Sequence, residues 1–78
     1  MLTVEIALQE NGEAKEIVEL YFDDEGLEEL LARLSLLRGG PTDHLHLMSE
    51  SWGLGDLSEK KNGINTMLAH HLKLTLLK

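Results

Sequence analysis

Glu16-Ile17-Val18-Glu19-Leu20-Tyr21-Phe22 runs directly into Asp23-Asp24-Glu25-Gly26-Leu27-Glu28-Glu29-Leu30-Leu31-Ala32-Arg33-Leu34-Ser35-Leu36-Leu37, and the hydrophobic period changes at the join. In the first half Val18, Leu20 and Phe22 alternate with Ile17, Glu19 and Tyr21, the period of two that marks a half-buried strand. In the second half Leu27, Leu30, Leu31, Leu34 and Leu37 keep the i, i+3, i+4, i+7 spacing of an amphipathic helix. A strand that feeds a helix without a long linker points to an α+β domain. The helix is expected to lay its leucines on one face of a sheet.

Both ends of that helix are signposted. Asp23 or Asp24 can cap the N-terminus by accepting a free backbone N–H. The acids of the first turn oppose the positive end of the helix dipole. Gly39-Gly40-Pro41 ends the helix, since Gly accepts the left-handed cap and Pro cannot continue it. Glu29 and Arg33 are spaced for an i, i+4 ion pair.

Upstream, Leu2, Val4, Ile6 and Leu8 alternate with Thr3, Glu5 and Ala7, a first strand with its apolar side inward. Asn11-Gly12 is a hairpin signal, so the first two strands should pair antiparallel. Downstream, Asp43 to Ser49 reads as a third strand with Leu45 and Leu47 inward. Residues 50–66 read as a long loop with a helical turn after Ser58. Ala69 to Leu77 closes as a fourth strand with Leu72, Leu74 and Leu76 inward. The expected architecture is a ββαββ two-layer sandwich, a single domain over residues 1–78. Its four-stranded, mainly antiparallel sheet carries one amphipathic helix on one face, and the crossover rule favours the strand order 2-1-3-4.

Charge restricts the function. Residues 1–29 hold ten acids against Lys15, a balance of −9, and residues 30–78 hold four acids and six bases, a balance of +2. Direct nucleic-acid binding is not expected, because phosphate contacts need clustered Lys and Arg. A basic protein partner suits such a surface. With no cysteine there is neither a disulfide nor thiolate chemistry. No apolar run approaches the ~20 residues of a membrane span, so a cytoplasmic protein is expected.

His44 and His46 share a strand face, and His71 should lie on the same side, opposite the helix. Three imidazoles with Asp43 or Glu50 nearby have the chemistry of zinc ligands. Without Cys or a motif spacing, no metal and no cofactor is assigned. Ser49 and Ser51 lie close in sequence to the histidines, but no Gly-x-Ser-x-Gly elbow supports a hydrolase. No catalytic residue is assigned either. Trp52, between Ser51 and Gly53, either folds back over the core or stands out as a contact anchor. Ala7, Ile17, Tyr21, Met48 and Leu77 make the outward sheet face more apolar than solvent requires, which fits a partner or a homodimer there.

His44-Leu45-His46-Leu47-Met48, Ser51-Trp52-Gly53, Leu57 and His71-Leu72-Lys73-Leu74 together resemble a family of small bacterial immunity proteins of polymorphic toxin systems, predicted immunity family thirty-two. The resemblance implies a non-enzymatic protein that neutralises a cognate toxin by binding it. The candidate contact residues are Trp52, His44, His46, Tyr21, Glu19, Asp23 and Asp24, with a basic nuclease as one fitting toxin. The other expectation is a small self-associating interaction domain.

Overall fold

The computed structural model describes residues 1–77. It is α+β. In chain order it has β1 (Leu2–Leu8), β2 (Ala14–Phe22), α1 (Asp24–Ser35), β3 (His44–Met48), a short 3-10 turn (Glu50–Trp52), β4 (Thr66–Ala69) and β5 (His71–Thr75). The described strands form two antiparallel sheets, β2-β1-β4 and β3-β5.

The first hairpin turns at Asn11-Gly12. Gln9 donates to the Glu13 carbonyl at 2.7 Å, and the Asn11 side chain accepts from the Glu13 N–H at 3.0 Å. Asp23 is the helix cap: its carboxylate accepts from the Gly26 N–H at 2.8 Å and from the Met1 amino group at 2.6 Å. Gly26 is needed because the chain crosses itself there. A Cβ on it would stand 2.0 Å from the Met1 carbonyl oxygen.

The core joins the two sheets. Leu2, Val4, Leu47 and Leu57 are buried together, with Leu30 of α1 and Leu45, Ala69, Leu72 and Leu74 packed around them. Leu57 closes the gap between the sheets. Its N–H bonds the Met48 carbonyl at 3.0 Å, and the next N–H, of Ser58, bonds the Leu2 carbonyl at 2.8 Å. Burying one such leucine contributes on the order of 2 kcal/mol.

Several expectations are corrected. The last strand is two. Val4, Glu5 and Ile6 of β1 pair with Ala69, Leu68 and Met67, whereas Leu45 and Leu47 of β3 pair with Leu74 and Leu72. The closing segment therefore lies between the first and third strands, and the order 2-1-3-4 does not form. The cause lies at His70. Ala69 and Leu72 both reach the core, an odd number of residues apart, so the alternation of side chains must break between them. The helical turn expected after Ser58 lies instead at Glu50–Trp52. Arg33 pairs with Asp56 rather than Glu29. Asp56 also accepts from the Met48 N–H at 3.1 Å, and Arg33 donates to the His46 carbonyl at 3.3 Å. One ion pair thus pins helix, third strand and loop together.

The largest correction concerns which side of the first sheet is sealed. Val18, Leu20 and Phe22, expected inward, are exposed, as are Leu31 and Leu34 of α1. Thr3, Glu5 and Ala7, expected outward, are buried. Leu30 of the helix packs on the core of Leu2, Val4, Leu47 and Leu57, and Arg33 reaches the β3 backbone, while Val18, Leu20 and Phe22 of β2 stay exposed. The molecule is accordingly long, 44 × 25 × 22 Å, with a radius of gyration of 13.5 Å. A compact chain of this length would have a radius of roughly 11–12 Å.

Candidate functional site

The break at His70 builds the most ordered surface feature. His70 and His71 are neighbours that an unbroken strand would send to opposite faces, yet both approach Trp52. The Trp52 indole lies parallel to the His70 ring, 5.9 Å between centroids and 4° between planes, and 6.3 Å from His71. His71 Nε2 meets His46 Nδ1 at 2.6 Å, and the His44 ring stands edge-on to His46 at 5.2 Å. A row of rings therefore runs His44, His46, His71, Trp52, His70 along one face.

Beneath the row, Ser49 shares a 2.7 Å hydrogen bond with His70 Nδ1. Ser49 is itself buried, so its hydroxyl fixes the ring and offers no path to a substrate. The Trp52 loop is held by Glu59, which accepts from the Ser51 N–H at 2.7 Å. The Ser51 hydroxyl, that N–H and the Ser49 hydroxyl hold the Glu59 carboxyl below its ordinary range, against the opposing effect of burial. His46 is also held low, by burial first and then by the neighbouring charges of His71, His44 and Lys73. Trp52 itself is 57% exposed, which decides between core cap and surface anchor in favour of the surface. Among the described residues no group of three His, Cys, Asp or Glu is arranged to hold a metal ion.

The other candidate residues lie elsewhere. Tyr21 and Glu19 face the same way on β2, and the Tyr21 hydroxyl donates to the Glu19 carboxylate. That bond raises the Tyr21 pKa, with burial and the carboxylate charges of Glu19 and Glu5 acting in the same direction. Asp23 is engaged at the helix cap, and its carboxyl is held low by the Met1 amino group and the Gly26 N–H. Asp24 is exposed in the first turn of the helix. The structure therefore gathers His44, His46 and Trp52 in one row and leaves Tyr21, Glu19, Asp23 and Asp24 in the β2–α1 region.

Sequence reasoning missed a buried carboxylate. Glu5 accepts four hydrogen bonds: from Thr3 Oγ at 2.7 Å, Asn62 N at 2.9 Å, Gly63 N at 2.9 Å and Thr66 Oγ at 2.5 Å. Burial pushes its pKa up, but the bonds from Thr66, Asn62, Thr3 and Gly63 prevail and lower it from 4.5 to about 2. Gly63 fits closely over this group. A Cβ there would come within 2.9 Å of the Glu5 carboxylate and of the Tyr21 hydroxyl. The loop from Ser58 to Asn65 is thus tied down as a lid over Thr3, Glu5 and Ala7. No periodicity signals this, because a Glu on the polar side of a strand ordinarily faces water.

On the opposite face the core covers Leu2 and Val4 and leaves the apolar residues at the margins exposed. Val18 is 67% exposed, Phe22 46% and Met67 47%. Val18 and Met67 flank Ile6 from either side, so they belong to one face of β2-β1-β4. Exposed carboxylates border it. Glu16 is exposed on β2 beyond Val18, where the pairing with β1 becomes irregular. Asp24 and Glu28 share a helix flank with exposed Leu31. Between the end of α1 and β5, Leu34, Leu37, Arg38, Leu74, Thr75 and Leu76 line an open cavity of about 300 Å³.

Among known proteins, no family model, no curated protein and no solved structure matches the chain. No described helix is long and apolar enough to cross a membrane.

Proposed function

We propose that this chain is a non-enzymatic immunity protein that binds and neutralises a basic bacterial toxin, a basic nuclease being one such class. The observation that carries the reading is the exposure of Val18, Leu20, Phe22 and Met67 on one face of β2-β1-β4, with exposed carboxylates on the same strand and on the helix that follows it. A continuous apolar patch left in water is characteristic of an interaction surface. Its border matches a partner of opposite charge, which it would also steer during approach. The resemblance of His44-Leu45-His46-Leu47-Met48 and Ser51-Trp52-Gly53 to immunity proteins supplies the class of partner. In this reading the protein acts in the cytoplasm of the toxin's producer. Trp52, His44 and His46 offer a second, aromatic contact area, since an exposed tryptophan held by stacking loses little freedom on binding.

The test is co-expression with the toxin encoded beside its gene. The expected result is a stable complex and survival of cells that the toxin alone kills. Absence of both would remove the proposal.

A second reading is a self-associating domain without a toxin. It is favoured by the same apolar face, which a second copy could cover. Light scattering across a range of concentrations separates the two, because self-association predicts a dimer without any partner.

A further inference from the structure

The backbone beside the open face carries a further inference. Among the described residues β2 has only β1 as a neighbour in the first sheet, which leaves its other edge free. Which residues point to that edge follows from the bonds at the ends of β1. Leu8 donates to the Asn65 carbonyl at 2.9 Å, and the Leu2 carbonyl accepts from Ser58 at 2.8 Å. The even residues of β1 therefore turn their polar groups away from β2. Asp23 donates to the Met1 carbonyl at 3.2 Å, so the odd residues of β2 turn toward β1. Leu2 pairs with Phe22, Val4 with Leu20 and Ile6 with Val18. In an antiparallel ladder these alternate pairs exchange no hydrogen bonds, and their N–H and C=O groups point outward. The free edge is thus made by the backbone of Val18, Leu20 and Phe22, the residues whose apolar side chains stand open on the sheet face.

We infer that the free edge of β2 is a strand-docking site, and that its occupant is an extended segment of the partner protein in which apolar residues alternate with Lys or Arg. The identity of that partner as a toxin rests on the reading above. An added strand extends the ladder through main-chain bonds and sends alternate side chains to the two faces. On one face its apolar side chains continue the row of Val18, Leu20 and Phe22. On the other its cations meet Glu19, and the exposed Glu13 and Glu16 lie toward the hairpin end of the strand. A second copy fits less well, since it would bring the same carboxylates against themselves. Sheet edges are commonly protected by Lys or Pro. From Ala14 to Phe22 the strand has Lys15 alone and no Pro.

A synthetic nine-residue peptide alternating valine and lysine is the probe, and one alternating valine and glutamate is the control. Amide hydrogen exchange with the whole chain gives the position of binding. The valine–lysine peptide is expected to bind saturably and slow exchange at Val18, Leu20 and Phe22. Leu20→Pro removes an outward N–H and leaves the β1 ladder intact, so it should weaken binding at least tenfold. Val18→Lys, at a side chain already in solvent, should do the same and covers the case in which Leu20→Pro does not fold. Equal binding of both peptides, protection centred on Trp52, or no binding would overturn the proposal. Protection of these amides that grows with protein concentration alone would also overturn it, because a second copy would then be the occupant. If folded Leu20→Pro neutralises the toxin as well as the parent chain, the docking site falls and the immunity reading stands. If the peptide docks at β2 and no toxin is neutralised, the docking site stands and the immunity reading falls.

Discussion

The two faces of β1 are treated in opposite ways. On the polar face, Thr3 and Glu5 are 0% exposed beneath the loop that carries Asn62 and Gly63. On the apolar face, Leu2 and Val4 are buried, but the row continues into Val18, Leu20 and Met67 in open solvent. Burying a carboxylate is costly unless its lone pairs are filled, and here four donors fill them. Leaving a valine in water costs little by comparison, roughly 1.5–3 kcal/mol of burial energy forgone. The difference separates two roles. The polar face holds the molecule together, and the apolar face is available to something else.

The sharpest way to break that division is to remove the group on the sealed side. Glu5→Ala leaves Thr3, Thr66 and the N–H groups of Asn62 and Gly63 without their acceptor. The expected loss is about 3 kcal/mol in urea unfolding, since each buried polar group left unpaired costs about 1–3 kcal/mol and water will enter part of the space. A loss below about 1 kcal/mol would mean that the lid does not depend on the carboxylate.

The same carboxylate makes stability depend on acid. Its pKa is about 2 in the folded chain against an ordinary 4.5, so the unfolded chain takes up the proton first. The contribution of Glu5 is complete above about pH 4.5 and is lost as the pH falls through about 2. Asp23, Glu59 and His46 are depressed too and act in the same direction, so the useful quantity is a difference. The stability gap between the parent chain and Glu5→Gln should narrow steadily from pH 5 to pH 2. A gap that stays constant would show that the charge on Glu5 is not what the four donors favour.

Much of the frame was legible before the structure, for identifiable reasons. The hairpin at Asn11-Gly12, the helix starting at Asp23 and the strand around Leu45 and Leu47 each depend on local period and turn chemistry. What failed was long-range. Period alone shows that Val18, Leu20 and Phe22 share a face, but not that a twelve-residue helix is placed where it cannot cover them. The division of the last strand at His70 was hidden because Leu72, Leu74 and Leu76 keep an unbroken alternation after it. The His70-His71 doublet was the available hint, since two like residues in succession cannot share a face in a regular strand. His44 and His46 are legible as neighbours on one face, because two-residue spacing fixes a face whatever the register, whereas the position of Trp52 beside them is not, since it lies in a loop that no period describes. Glu5 gave no local sign. Its donors Asn62, Gly63 and Thr66 are about sixty residues away in the chain, and Asn62 and Gly63 look like ordinary loop punctuation.

A finer probe of the sealed face is Gly63→Ala. The added methyl would lie 2.8 Å from the Thr66 side chain and 2.9 Å from both Glu5 and Tyr21 oxygens. These neighbours are held by their own hydrogen bonds, so they cannot move without weakening the cluster. A loss of about 1–3 kcal/mol is expected, the range of overpacking in a filled interior. Stability equal to the parent would show that the lid has room the structure does not contain.

The smallest effect belongs on the open face and tests the division most directly. Val18→Thr exchanges a methyl for a hydroxyl of nearly the same shape at a position already 67% in solvent. Inside a core this exchange is destabilising because the hydroxyl is left without a partner. Here water supplies one, and threonine keeps the β-branched shape that suits a strand. The expected change in unfolding free energy is within about 0.5 kcal/mol, as for surface positions generally. Toxin binding should nevertheless weaken, because the side chain that contributes nothing to the free protein is the one the partner would cover. A loss near 2 kcal/mol in the absence of partner would instead place Val18 inside a contact of this chain with itself, in the monomer or in a dimer. The open face would then be structural, and the contrast with Glu5 would disappear.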